Sequence, residues 1–271
     1  MITITALNIY PVKSCKGVAL ERARIAATGL EHDREWLIVR SDGRFVTQRE
    51  EPRLALISPS MKEGRLRLAA PGVEALEVDA ALVREPVEVV CWGDRCAAFD
   101  AGLPAARWLE TFLGAPYRLV RFDPRHLRAS SAEWTQGIQA PNQFTDGFPF
   151  LVISQASLDD LNGRLASPLP MNRFRPNIVI DGVDAFGEDG IHELRGEGYT
   201  LRIVKPCTRC AITTTDQARG ERMGDEPLRT LRGYRFDRAL KGVLFGQNAI
   251  LIEGLGRELR VGQTLEAIAK A

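Results

Sequence analysis

The sequence has little histidine and no long apolar segment. The histidines stand far apart and form no set with the spacing of metal ligands: His32, His126 and His192. Their scatter argues against most classes of zinc hydrolase. No apolar run approaches the ~20 residues that a helix needs to cross a bilayer. The N-terminal segment MITITALNIYPVKS also lacks the basic and then apolar regions of a signal peptide. We therefore expect neither a membrane partner nor export.

An excess of charge of either sign is missing as well. The 36 lysines and arginines nearly balance the 35 acidic residues, which leaves a formal net charge of +1. We therefore expect no nucleic-acid partner, although a local basic pocket is compatible with this balance. Hydrophobic residues make up 45% and charged residues 26% of the 271 residues. These values are typical of a folded globular protein with one large domain or two smaller ones.

Cysteine is scarce, and its number is odd. The five cysteines are Cys15, Cys91, Cys96, Cys207 and Cys210. An odd number in a chain with no export signal does not suggest a disulfide framework. We expect reduced thiols and a cytoplasmic location.

The first hundred residues predict short strands joined by turns. Residues 2–10 alternate between apolar and polar, and the apolar segments on both sides of residues 41–43 and of Gly93-Asp94 predict hairpins. Short strands at regular spacing indicate a β-barrel or a sandwich. The spacing of leucine and phenylalanine predicts a helix over residues 103–113, which Gly114 would end.

The second half of the chain predicts a mixed, mostly β structure with two or three helices. Strands are predicted at residues 177–180, 199–204 and 249–253, and a capping box at Ser157 predicts a short helix. Residues 121–147 are polar and rich in turn formers. We interpret them as a linker or as an ordered loop that crosses a cleft.

The segment IVKPCTRCAITTTD contains two cysteines three positions apart, Cys207 and Cys210. The pair supplies only two of the four ligands of a structural zinc site. A thioredoxin-type dithiol would begin a helix, whereas the following AITTTD is a poor helix start. Burial of one or both thiols in the core is the ordinary alternative. The nearby Lys205 and Arg209 favour a thiolate beside an anionic ligand instead.

Three other short segments contain basic residues that could bind an oxyanion. Each is equally consistent, by itself, with a solvated surface. The residues are Lys13, Ser14 and Lys16 after the first strand, Arg34 at the start of a later strand, and Arg173 and Arg175 before residues 177–180.

Several motifs follow one another in order along nearly the whole chain. They are IYPVKSCKG, DREWLIV, QREEPRLALIS, PFLVISQASLDDLN, FRPNIVI, CTRCAITTTD, EPLRTLRGYR and LFGQ. In this order they resemble the MOSC-domain molybdenum-cofactor proteins. The resemblance is to the branch with an N-terminal MOSC β-barrel domain, which includes the mitochondrial amidoxime-reducing component and its bacterial homologues.

The resemblance implies a mostly β fold with short helices, in which a cofactor cleft separates two domains. The N-terminal β-barrel domain would span residues 1–120 and the MOSC domain residues 121–271. In that family the second cysteine of C-x-R-C is the protein's thiolate ligand to molybdenum. This position is Cys210 here, with Arg209 and Thr208 beside it. Cys207 would be a neighbour in the fold and not a ligand, and a secondary redox role for it stays open.

The resemblance also implies which residues bind the phosphate and pterin of the molybdenum cofactor. They are Lys13, Ser14, Arg34, Arg175 and Asn177, with Thr208 and Arg209. Where relatives often have Asp-Thr-Ser-Pro-Phe, this chain has Asp146-Gly147-Phe148-Pro149-Phe150. Two hydroxyl groups are thus missing, and backbone amides would replace them because Gly147 lets the chain approach closely.

The implied activity is the reduction of small N-hydroxylated compounds, such as amidoximes, hydroxylamines and N-hydroxylated nucleobases. Asp216 or a metal-bound water could deliver protons. No ferredoxin-type cysteine motif follows the MOSC region. We therefore expect electrons from a separate protein, either ferredoxin-like or a flavin reductase. Two alternatives stay open: a cofactor-binding or sulfur-handling module without turnover, and a protein whose C-x-x-C is merely structural.

Overall fold

The computed structural model describes residues 1–270. Its first half contains the strands β1 (Ile2–Ile9), β2 (Val18–Leu20), β3 (Arg22–Ala26), β4 (Gly29–Leu30), β5 (Trp36–Val39), β6 (Ser58–Lys62), β7 (Arg65–Ala70), β8 (Val73–Asp79), β9 (Glu85–Cys91), β10 (Asp94–Asp100) and β11 (Arg118–Phe122). The later strands are β12 (Phe150–Ser154), β13 (Ile178–Asp181), β14 (Ile191–Gly196), β15 (Tyr199–Arg209), β16 (Thr215–Asp216), β17 (Glu221–Arg222), β18 (Phe236–Asp237), β19 (Gly242–Glu253), β20 (Glu258–Arg260) and β21 (Thr264–Ala269).

Helices are few and short. The α-helices are α1 (Leu103–Leu113), α2 (Ala132–Thr135), α3 (Gln155–Arg164) and α4 (Leu228–Arg232). Single 3-10 turns lie at Pro52–Leu56, Ala80–Leu82, Met171–Arg173, Gly187–Gly190 and Ala211–Thr214. The predicted fold class, mostly β with some α, is confirmed. No helix within residues 1–270 combines the length and the apolar character needed to span a membrane.

Seven strands close into a barrel. They follow the order β12-β13-β1-β21-β14-β15-β19, and β19 pairs back onto β12. The N-terminal strand β1 is thus built into the barrel of the second half. Its inward side chains change phase at the irregularity between Ile4 and Ala6, so that Ile2 and Ile4 are buried before it and Leu7 and Ile9 after it.

The rest of the first half forms smaller sheets around a second core. Strands β5, β11, β10 and β9 make a four-stranded sheet, and β6, β7 and β8 a three-stranded one. Helix α1 packs onto this core with Leu109 and Leu113, which are almost completely buried. Gly114 ends the helix at φ 71°, a conformation that glycine adopts without strain. This helix and its end agree with the prediction.

Two local predictions were shifted. The hairpin between β9 and β10 turns at Trp92 and Gly93, one residue before the predicted Gly93-Asp94. The capping residue of α3 is Ser154, whose Oγ accepts a hydrogen bond from the Ser157 N–H at 3.1 Å. The Ser157 hydroxyl instead donates to the buried Glu188 carboxylate at 2.8 Å, which explains why it does not cap the helix. The domain boundary at residues 120 and 121 stays a prediction.

Candidate functional site

A cleft runs between the two halves of the chain. It holds about 1040 Å³ of empty space, including its open mouth. Every residue that the resemblance assigned to cofactor or metal binding lines this cleft: Lys13, Ser14, Arg34, Asp146, Gly147, Phe148, Arg175, Asn177, Thr208, Arg209 and Cys210. Residues that are as much as 197 positions apart in the sequence are thus brought to one place (Cys210 minus Lys13).

The two cysteines of the C-x-R-C segment differ in their surroundings. Strand β15 ends at Arg209, and Cys210 caps the 3-10 turn that follows. The Arg209 guanidinium donates a hydrogen bond to Cys207 Sγ at 2.9 Å and another to the Phe174 carbonyl at 2.6 Å. Within residues 1–270, Cys210 Sγ has no hydrogen-bond partner and is partly exposed in the cleft. Cys210 is therefore the sulfur that is available to a ligand.

Backbone strain is concentrated in this cleft. Nine residues other than glycine within residues 1–270 have positive φ angles, and four of them line the cleft. These four are Ser14 (66°), Arg34 (50°), Trp92 (59°) and Arg175 (58°). Such angles cost of order 1–3 kcal/mol each and persist where the surrounding structure enforces them, often at ligand sites. The strain presents the Ser14, Arg34 and Arg175 side chains to the cleft.

Two of the arginines share an aromatic support. The guanidinium carbons of Arg34 and Arg175 each lie 4.2 Å from the centre of the Tyr10 ring. Tyr10 is held in turn by a hydrogen bond from its hydroxyl to the Pro176 carbonyl at 3.1 Å. Burial raises the pKa of Tyr10 to about 12, so its hydroxyl stays neutral. The ring thus fixes two cations without neutralising them.

Polar contacts orient these two arginines further. Arg34 donates to Asp33 at 2.5 Å and to the side-chain oxygen of Asn177 at 3.1 Å. Arg175 donates to the Cys15 carbonyl at 2.7 Å and has no carboxylate partner within residues 1–270. Burial lowers the pKa of Arg175 to about 10. The side chain is nevertheless cationic at neutral pH, and its buried charge favours an anionic ligand.

Lys13 and Asp146 form an ion pair at the mouth of the cleft. Lys13 also donates to the Phe144 carbonyl at 2.7 Å, and Trp92 donates to Asp146 at 3.2 Å through its indole nitrogen. Desolvation by the cleft walls would raise the pKa of Asp146, but Lys13 outweighs it and the pKa lies far below the ordinary value. Asp146 is therefore a carboxylate that orients Lys13 and Trp92.

Asp216 does not line the cleft, and neither do Lys16 and Arg173, two of the basic residues considered as oxyanion ligands. One carboxylate oxygen of Asp216 accepts hydrogen bonds from the backbone N–H groups of Ala218 and Arg219, at 2.9 and 3.0 Å. The other accepts from Arg173 at 3.2 Å. Desolvation raises the pKa of Asp216. The backbone hydrogen bonds and Arg173 lower it by more than that, so the net shift of the pKa is downward. This geometry gives no support to the proton-delivery role predicted for Asp216.

Several cleft residues were not among the predicted site residues, and two of them, Arg49 and Trp92, contact each other. Arg49 lies in the QREEP motif, and Trp92 forms the hairpin turn. The Arg49 guanidinium lies 4.7 Å from the centre of the Trp92 ring, and the Phe45 ring packs 5.1 Å away. Trp92 is 41% exposed. The signal in the sequence was a tryptophan directly before the predicted Gly93-Asp94 turn, because a tryptophan at a hairpin tip commonly contacts a ligand or a partner.

The residues present fit a molybdenum pyranopterin cofactor. Cys210 offers one soft thiolate with no competing partner, and such a sulfur suits molybdenum. Within residues 1–270 no three His, Cys, Asp or Glu side chains are grouped to hold a metal ion. A metal at Cys210 therefore needs further ligands from outside the protein, which the cofactor's two sulfurs would supply. Gly147, at φ 151°, would point a Cβ atom into open space, so its backbone is accessible from the cleft.

The family comparisons define the chain as a MOSC-domain protein, in agreement with its mostly β architecture and with its cationic cleft, in which Cys210 Sγ has no hydrogen-bond partner among the described residues. Residues 1–116 match the MOSC N-terminal beta barrel domain, and residues 139–266 match the MOSC domain. The chain is 39% identical over 265 residues to mitochondrial amidoxime-reducing component 1 of Homo sapiens, which covers 92% of this chain and 78% of that protein. It is also 37% identical over 242 residues to mitochondrial amidoxime reducing component 2 of Bos taurus. That alignment covers 86% of this chain and 72% of the bovine protein. The chain belongs to the amidoxime-reducing component family.

Proposed function

We propose that this protein is a molybdenum-cofactor-dependent oxidoreductase that reduces small N-hydroxylated compounds to amines or amidines. The observation that carries the proposal is the partly exposed Cys210 sulfur, which lies without a partner in a cleft lined by strained, cationic residues. The relatives' names, amidoxime-reducing components, support the reaction class. When bound, the cofactor would supply two-electron redox chemistry at its metal.

The protein's own residues would bind and orient the cofactor. Arg34 and Arg175, stacked on Tyr10, would bind its phosphate together with Lys13 and Ser14. The other proposed contacts to the pterin come from Asn177, Thr208, Arg209 and residues 146–148. Arg209 holds Cys207 by a hydrogen bond and thereby leaves Cys210 as the protein's metal ligand.

The overall reaction consumes two electrons and two protons, breaks the N–O bond and releases water. We propose that the electrons come from a separate protein, either ferredoxin-like or a flavin reductase. A cytoplasmic location stays a prediction, and it is supported only by the five cysteines without disulfides. The protein's proton donor is left unassigned, since no histidine lines the cleft.

The test compares the two cysteines of the segment. The native protein, Cys210→Ala and Cys207→Ala would be produced in a host that makes the cofactor. Molybdenum would be measured by elemental analysis, and benzamidoxime reduction would be followed with a reduced dye as donor. We expect Cys210→Ala to lose activity and most of its molybdenum, while Cys207→Ala keeps both to a large extent.

Full turnover by Cys210→Ala would contradict the proposal, because a reductase of this kind needs its metal ligand. Bound molybdenum in the native protein without turnover of any N-hydroxylated compound would favour a cofactor-binding module instead. A native protein that binds no molybdenum would leave the C-x-R-C segment with a structural role.

A further inference from the structure

The cleft has an excess of positive charge. Six basic side chains line it, against the single carboxylate of Asp146. Four of the six are those that we propose for the cofactor: Lys13, Arg34, Arg175 and Arg209. The two that remain are Arg49 and Lys205, and neither has a proposed role in holding the cofactor.

Arg49 and Lys205 differ in how they are held. Arg49 donates a hydrogen bond from Nε to the Thr47 hydroxyl at 3.2 Å and stacks on Trp92. The ammonium nitrogen of Lys205 lies 4.9 Å from the centre of the Trp134 ring. Within residues 1–270 it has neither a carboxylate within salt-bridge distance nor a hydrogen-bond acceptor. Its position is fixed, but its three donors are available.

The local structure explains this position. Lys205 lies in β15, five residues before Cys210 on the same cleft wall, and Trp134 lies in the short helix α2. Helix α2 is part of the segment predicted to cross the cleft, and it packs against β15. A cation over an indole face is attracted to the ring quadrupole and keeps its N–H groups for another ligand. Lys205 is half-buried and lines a cleft that already attracts anions.

We propose that Lys205 binds an anionic group of the substrate, so that the enzyme prefers N-hydroxylated compounds that carry a carboxylate or a phosphate. This inference rests on the proposed reductase function and names the substrate class of the same site. A lysine ammonium is a compact point charge that binds either anion, and Lys205 lines the same cleft as Cys210, the proposed metal ligand.

The experiment measures kcat and KM for pairs of substrates that differ only in charge. Benzamidoxime is compared with 4-carboxybenzamidoxime, and N4-hydroxycytidine with its 5′-monophosphate. The enzymes are the native protein, Lys205→Met, Lys205→Arg and the control Lys62→Met, which removes a lysine that is 86% exposed away from the cleft. Molybdenum content is measured for each variant, and rates are expressed per bound molybdenum.

We expect Lys205→Met to raise KM for the charged member by about tenfold, which corresponds to ~1.4 kcal/mol. The KM for the neutral member and both kcat values should stay within about twofold, and Lys205→Arg should restore most of the preference. The pair that responds identifies the anion as a carboxylate or a phosphate. In the native enzyme, higher ionic strength should raise KM for the charged member only.

Equal KM values for charged and neutral substrates in the native enzyme would overturn the inference, even if Lys205→Met fails to fold. So would a loss of molybdenum in both Lys205 variants, because Lys205 would then serve the cofactor. If no substrate of either pair is reduced, the proposed function itself fails. Substrate reduction without a charge preference would leave the proposed function intact and would remove only this inference.

Discussion

A buried pair of glutamines joins the two halves of the chain directly behind the cleft, and its removal gives a sharp prediction. Gln48 and Gln217 exchange hydrogen bonds at 3.1 and 2.8 Å, and both side chains are buried. Gln48 also donates to the Ser14 carbonyl at 2.7 Å, and Gln217 to the Thr215 carbonyl at 3.2 Å. The pair therefore ties the strained Ser14 loop to the segment that follows Cys210.

The substitution Gln217→Leu keeps a side chain of similar size and removes both of its polar groups. It leaves the Gln48 oxygen without a donor and reduces the bonding of the Gln48 amide. A buried polar group without a partner costs about 1–3 kcal/mol, and the Gln48 amide loses less because it keeps its bond to the Ser14 carbonyl, so the two losses add to roughly 2–4 kcal/mol. At about 2–4 °C per kcal/mol for a chain of this size, Tm should fall by about 4–16 °C.

The double variant Gln48→Leu/Gln217→Leu separates this mechanism from a general packing loss. With both amides absent, no orphaned amide remains between them, so the combined loss in Tm should be smaller than the sum of the two single losses. Thermal unfolding followed by circular dichroism measures all four proteins. Strictly additive losses, or a Gln217→Leu protein as stable as the native one, would refute the reasoning.

Two other predictions concern the cleft and its outer wall. Gly147→Ala and Gly137→Ala should both lower Tm, because their φ angles of 151° and 81° are disfavoured for alanine, but only Gly147→Ala should also lower bound molybdenum. Equal molybdenum contents would count against the proposed backbone contact. Burial raises the pKa of Glu35, but His32 and Arg121 outweigh it and the net pKa is lowered. The ionised Glu35 therefore stabilises the fold above the ordinary glutamate pKa of 4.5, and this stability is lost as the pH falls through the lowered pKa. In Glu35→Gln, Tm should fall less steeply with decreasing pH in this range. An unchanged slope of Tm against pH would contradict the prediction.

The elements that the sequence predicted best depend on neighbours in the chain. Helix α1 follows from leucine spacing and a terminal glycine, and the β9–β10 hairpin follows from its turn residues, whereas the hairpin predicted around residues 41–43 is reduced to an isolated bridge between Val39 and Phe45. The incorporation of β1 into the barrel of the second half could not be predicted this way. It depends on pairing between residues 2–9 and 178–181, and no local pattern specifies such a distant partner.

The candidate site was likewise predicted from the sequence only in part. The resemblance selected residues that the structure brings into one cleft, although each of its cations was unremarkable by itself. Asp216, the aspartate at the end of the cysteine segment, was predicted as a possible proton donor. Its carboxylate instead accepts hydrogen bonds from the backbone N–H groups of Ala218 and Arg219 and so stabilises a turn. Aspartate commonly has this role in turns, and the role does not place the carboxylate in the cleft. Trp92 was missed because only the folded hairpin carries it to the cleft.

The central claim is that one sulfur, Cys210, binds the metal while Cys207 is held by Arg209. Elemental analysis of the native protein and of the two single alanine variants, purified from a cofactor-producing host, tests it most directly. The account predicts molybdenum near one equivalent per chain in the native protein, about the same in Cys207→Ala, and a large loss in Cys210→Ala. Undiminished molybdenum in Cys210→Ala, or its loss only in Cys207→Ala, would contradict the account.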